Sequence, residues 1–289
     1  VRIAIICNKT GTDQDVKHSG IHFQWGFEDL GDRVDVYHWK EQDKIPLEYD
    51  FYFSVDSSEE YGIQERLRPL IVYNGDTHMP GGLQRDMTRC RNADLIFNGN
   101  YENGVELMRL MGFKSIWLPL GYDRRFDFKD EDLKDKPLDV AMIGHANSGE
   151  RVALWEMLKK NYNCEVGDLD PAEIYKKSKI VVNQPTEPWN NIYNNRLIEG
   201  MISGCVVLQK NLTITSYKRV IDTNLITFWN DFSDLKWEID RILNSWEIEG
   251  LKGYLARTSV KENYSYRNLC TIIKNYYLNL GEIEKNGKI

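Results

Sequence analysis

The sequence predicts an α/β protein made of two doubly wound, Rossmann-like domains in tandem, with a ligand cleft between them. Three observations carry this. Short apolar runs alternate with helix-period segments from end to end. The alternation breaks once, in a polar, charge-rich stretch at 123–137 containing FDFKDEDLKDKP, and then restarts. The length of 289 residues gives each half enough chain for a core of its own.

In the first half, strands are expected at 2–8, 34–39, 51–55, 70–74, 95–98 and 115–120, each an apolar run bounded by turn residues. Helices are expected at 20–30, 83–92 and 104–111. The second half repeats the scheme, with strands at 138–143, 180–183, 205–209 and 225–229. Its helices fall at 149–160, 172–177, 195–203, 233–245 and 265–280. The expected division is 1–122, a linker at 123–137, a second domain at 138–262, and a closing helix within 263–289 that crosses back to the first domain.

Composition narrows the function. No apolar run approaches the roughly 20 residues of a membrane span. The opening VRIAIICNK reads as a buried strand and not a signal peptide. Five scattered cysteines without a C-x-x-C pair fit a reducing cytoplasm and argue against a disulfide framework or zinc site. A net charge of −7 argues against a broad, sequence-independent grip on nucleic acid.

The most informative stretch is IVVNQPTEPWNNIYNNRLIEGMISGCVVLQ, at 180–209. A buried strand leads through a polar loop to a helix bearing Arg196 and Glu199, then to a glycine turn and another buried strand. The two charges share one face at the helix N-terminus. They read as a diphosphate-binding arginine beside a ribose-gripping carboxylate, or as an ordinary i,i+3 ion pair. Asn190 and Asn191 in the loop could touch a sugar or diphosphate. A second turn, Gly144-His145-Ala146-Asn147-Ser148-Gly149-Glu150-Arg151, follows a strand and opens a helix. Gly144, Asn147, Ser148 and Arg151 there suit an anion. The alternative is a plain strand–loop–helix connection. Asp168-Leu169-Asp170 spells a D-x-D, but Pro171 after Asp170 marks a helix start more than a metal site.

In the first half the strand at 70–74 runs into Gly75-Asp76-Thr77-His78. Asp76 would stand at its carboxyl end, as a general base or as a turn-capping aspartate. His78 is the second candidate. His18, in the loop after the first strand, joins the same side. Arg85 and Arg89, with Arg66, Arg68 and Arg91, bracket Asp76. They could line a wall facing an acceptor, or pair with nearby acids on the domain's own surface.

These motifs resemble those of the GT-B glycosyltransferases, whose nucleotide-sugar segment has a polar loop, R-x-x-E and a glycine turn; Arg196, Glu199 and Gly204 match it. The chain resembles the spore-maturation-like members through Asp76-Thr77-His78, through Trp117-Leu118-Pro119-Leu120-Gly121 with Asp123, and through Arg196 with Glu199. It also resembles the phage DNA β-glucosyltransferase family, in which Asp76, His78 and Pro80 match the base motif and Ser148, Gly149 and Arg151 a phosphate loop. The resemblance implies inverting, metal-independent transfer from a UDP-sugar to a hydroxyl, with no further cofactor. Hydroxymethylated pyrimidine in phage-type DNA is then a candidate acceptor, in a bacterial or phage-infected cell. The alternatives are a cell-surface or spore glycan or glycolipid as acceptor, and a non-catalytic nucleotide-sugar-binding module.

Overall fold

A computed structural model describes residues 1–8, 19–55, 60–75, 77, 81–146, 148–185, 194–211 and 221–285, with the side chains of Ser19, Asn103 and 281–285 set aside. The chain divides into two compact units, Val1–Asp123 with Ser265–Ile289, and Arg124–Tyr264.

The first unit holds a six-stranded parallel sheet. Its strands are β1 (Arg2–Cys7), β2 (Arg33–His38), β3 (Phe51–Val55), β4 (Leu70–Asn74), β5 (Leu95–Asn98) and β6 (Ser115–Trp117), in the order β2-β1-β3-β4-β5-β6. β3 and β4 are buried at every residue, as expected of central strands covered on both faces. The helices are α1 (Ser19–Glu28), α2 (Gly82–Cys90), the single turn α3 (Leu107–Leu110) and α9 (Tyr266–Lys285). Phe23, Phe27, Phe51, Phe53, Tyr73 and Phe97 form one face's core with Tyr266, Leu269 and Ile273 of α9. Burying each such side chain is worth about 1.5–3 kcal/mol. α9 lies so close to α1 that a Cβ on Gly26 would sit 2.7 Å from both the Tyr266 carbonyl oxygen and Cys270 Sγ.

The second unit has five parallel strands, β7 (Leu138–Ile143), β8 (Cys164–Gly167), β9 (Ser178–Asn183), β10 (Val206–Lys210) and β11 (Ile226–Trp229), ordered β11-β10-β9-β7-β8. Its helices are α4 (Gly149–Asn161), α5 (Pro171–Tyr175), α6 (Asn195–Ile202), α7 (Phe232–Asn244) and α8 (Trp246–Lys261). Asp170 caps α5, accepting from Ala172 N at 3.0 Å, and Pro171 takes the first helical position as the sequence predicts. The chain runs outward from β7 in both directions, to β8 on one side and β9 on the other. This reversal is where open α/β sheets place their ligands.

Some elements differ from expectation. The helix expected at 104–111 starts as a π-turn at Tyr101–Glu106, where Gly104 is pressed against Asn98; a Cβ there would sit 1.9 Å from Asn98 Oδ1. β8 and α8 carry no clear sequence signal. The polar stretch at 124–137 packs onto the second unit, with Phe126 fully buried. Arg257, itself buried, donates to the carbonyls of Phe128 and Ile202 and ties this stretch to α6.

Candidate functional site

In the second unit the carboxyl ends of β7 and β9, either side of the reversal, are joined by Arg151. Its Nη2 donates to the Ile143 carbonyl and its Nη1 to the Gln184 carbonyl, both at 3.2 Å. Ser148 caps α4 and accepts from Arg151 N at 3.2 Å, which fixes the residue in the first helical turn. Gly144 adopts φ +144°, and a Cβ there would lie 2.5 Å from Arg151 Nη2. Only glycine gives the guanidinium this space.

Arg151 is 6% exposed, and among the described residues no carboxylate pairs with it; its hydrogen bonds there go to carbonyls and its Nε has no partner. Burial lowers its pKa, and the neighbouring charge of Arg196 adds to the effect. A buried cation without a counter-charge is costly, and an incoming anion would relieve that cost. Arg196, in the first turn of α6, donates to Glu199 at 2.5 Å; Glu199 is buried and Arg196 one-third exposed. Burial opposes the charge of Arg196, but Glu199 more than compensates and raises its pKa. The two therefore pair with each other, as the plainer reading of the sequence has it, but with the carboxylate inside the domain.

Three further buried polar atoms lack partners among the described residues: Tyr175 Oη, Gln184 Oε1 and Asn195 Oδ1. With Arg151 Nε they make four of the five such side-chain atoms among the described residues of this unit. Native interiors satisfy nearly all such groups, so this concentration leaves hydrogen-bonding capacity that a ligand could use.

In the first unit, Thr77 follows the carboxyl end of β4 and is held by buried side chains. Its Oγ1 donates to Asp86 at 2.5 Å and accepts from Asn98 Nδ2 at 2.8 Å. Asn100 Nδ2 donates to the Gly75 carbonyl at 2.6 Å. Arg89 binds Asp86 at 2.7 Å and also reaches Asn74 Oδ1. Arg89 is thus 3% exposed and anchors this turn, in place of the acceptor-facing position expected of it. Arg66 donates to the carbonyls of Ile45 and Gln42, and Arg68 pairs with Asp94 at 3.4 Å. Arg85 is half-buried in α2. Of the five arginines Arg89 alone is buried; Arg66, Arg68 and Arg91 stay exposed, the first two with partners on their own domain.

No protein-family model and no curated protein matches the sequence. Solved structures do match. Anabaena HepE in complex with UDP and glucose aligns over 96% of this chain and 99% of its own, with TM-score 0.67 and 10% identity. An alpha-glucosyltransferase in complex with UDP and a 13-mer DNA containing a HMU base covers 96% and 99%, with TM-score 0.62 and 13% identity. T4 phage BGT in complex with its UDP-glucose substrate covers 99% of each chain, with TM-score 0.55 and 14% identity. This chain has the GT-B fold. The likeness extends over nearly the whole of each neighbour.

On the GT-B frame, Gly144, Ser148, Arg151, Arg196 and Glu199 fall in the second unit, with Arg151 and Arg196 in electrostatic contact. Asn147, Asn190 and Asn191 lie outside the described residues, as do Asp76, His78 and His18. Tyr175, Gln184 and Asn195 escaped the sequence reading; a lone tyrosine and two carboxamides give no periodic or motif signal. The D-x-D residues go to other tasks. Asp170 caps α5, and Asp168 lies 3.3 Å from His145. Among the described residues, no three His, Cys, Asp or Glu side chains gather as metal ligands, and no helix is long and apolar enough to cross a membrane.

Proposed function

We propose that the chain is a GT-B glycosyltransferase that moves a sugar from a UDP-sugar to an acceptor hydroxyl with inversion. One observation carries the reading: Arg151, a buried arginine without a carboxylate among the described residues, sits at the sheet's reversal point beside Arg196. Two fixed guanidiniums at the N-termini of α4 and α6 suit a leaving nucleoside diphosphate, whose charge grows as the glycosidic bond breaks. Because they are already in place, they supply the neutralisation that a divalent metal gives elsewhere. Glu199 would leave Arg196 and accept from both ribose hydroxyls. Asn147, Asn190 and Asn191 would contact the sugar and diphosphate. Asp76 would take the proton of the attacking hydroxyl while that oxygen adds to the anomeric carbon from the face opposite the diphosphate. His18, His78 and Arg85 would meet the acceptor.

The candidate acceptor is a hydroxymethylated pyrimidine in DNA, supported by likeness to one neighbour solved with DNA containing a HMU base. A glycan or glycolipid hydroxyl is favoured by another observation, the burial of Arg89 against Asp86, which takes it from any acceptor-facing wall. Mass spectrometry after incubation with UDP-glucose, EDTA and hydroxymethylated duplex DNA decides between them. The DNA reading expects one added hexose per modified base. Unmodified DNA together with hexose on an oligosaccharide acceptor selects the glycan, and loss of all transfer in EDTA contradicts metal independence.

A further inference from the structure

Tyr175 closes α5 and is fully buried, yet its hydroxyl has no hydrogen-bond partner among the described residues. An unpaired phenol in a dry interior normally turns up bonded, because leaving it bare costs more than replacing it with phenylalanine. Its backbone is fixed: the Tyr175 carbonyl accepts from Cys205 Sγ at 3.1 Å, at the start of β10. Its hydroxyl interacts electrostatically with Arg196, Glu199 and Arg151. Burial pushes its pKa up, so it keeps its proton. Arg151 Nε–H is likewise bare, so this interior holds an idle donor and an idle hydroxyl beside two arginines.

We propose that Tyr175 is a positioning residue for the diphosphate, its buried hydroxyl held unpartnered so as to receive a guanidinium N–H when a bound diphosphate draws Arg196 off Glu199. The inference rests on the donor-site reading above. A full interior position keeps Tyr175 from touching ligand directly, so it acts through the arginines. In the free protein Arg196 spends its Nη1 on Glu199. When the diphosphate draws the guanidinium off that carboxylate, the arginine needs a new anchor, and the phenol oxygen supplies it. The arrangement favours binding at the expense of the free fold.

Tyr175→Phe removes one oxygen and separates this role from a structural one. Calorimetric titration with UDP and with uridine, plus the thermal midpoint of the free protein, gives three readouts. We expect UDP affinity to fall about tenfold while uridine affinity stays level, since only the diphosphate recruits the arginines. The free midpoint should hold or rise, by up to about 4 °C for a domain of this size. A lower midpoint with UDP and uridine weakened alike would mean a packing role and overturn the proposal. So would unchanged UDP affinity in a wild-type background that binds UDP. If the wild-type chain binds no nucleotide at all, the donor-site reading falls, and this inference falls with it.

Discussion

Arg151→Met lowers the affinity for UDP by about 100- to 1000-fold and leaves the fold intact. The guanidinium is buried among carbonyls, fixed by the Ser148 cap and by the space at Gly144. Each charge-assisted hydrogen bond it makes to a phosphate is worth roughly 1.5–3 kcal/mol, and two of them account for the loss. Methionine fills most of the aliphatic volume. The variant also discards a desolvated charge that has no carboxylate partner, so stability should stay within about 1 kcal/mol of wild type. Arg151→Lys should recover only part of the affinity, because an ammonium cannot span the Ile143 and Gln184 carbonyls and still present a planar fork. Calorimetry with UDP and denaturant unfolding, run on the same preparations, check both halves of the expectation. Weakened binding that merely tracks lost stability would show that Arg151 is only a structural tie between β7 and β9.

Asp76→Asn abolishes most turnover, by about 100- to 10,000-fold, and leaves UDP affinity unchanged. Asp76 lies outside the described residues, but both its neighbours are anchored. Asn100 holds the Gly75 carbonyl, and Asp86 and Asn98 hold the Thr77 hydroxyl. The substitution keeps size and hydrogen bonding while removing the basic site. Initial rates at saturating donor, with parallel binding titrations, measure the effect. A non-catalytic sugar-nucleotide binder would keep its function in this variant.

The sheet strands were legible because they are buried on both faces and so read as apolar runs; β3 and β4 match the residues expected of them. Helix starts were legible where chemistry marks them, as at Asp170-Pro171 and Ser148. β8 was not, since CEVG at a sheet edge has little apolar character. α8 was hidden by Gly250 and Gly253, residues that usually weaken helices. Gly253 is there for packing: a Cβ would come within 2.6 Å of the Gly204 carbonyl oxygen. Charges near Phe126 made 123–137 look like a free linker, whereas from residue 124 onward one buried ring and Arg257 bind it to the second unit.

The site was half legible. Arg151, Arg196 and Glu199 stand at helix starts, where sequence position alone implies exposed N–H groups and a positive dipole. Whether Arg196 and Glu199 pair with each other or wait for a ligand could not be read, because spacing permits both. The structure resolves this as a pair with the carboxylate buried. Arg89 shows the opposite failure. A basic residue on a polar helix reads as surface, yet Asp86 and Asn74 draw it inside. Tyr175 and Gln184 emerge only when burial is known and their missing partners can be counted.

The central claim is that the second unit holds a prepared diphosphate site. Titrating the wild-type chain with uridine, UMP and UDP in EDTA, at low and high salt, tests it most directly. The account predicts affinity that climbs with each added phosphate and weakens as salt rises. Equal binding of all three, or no binding of any, would contradict it.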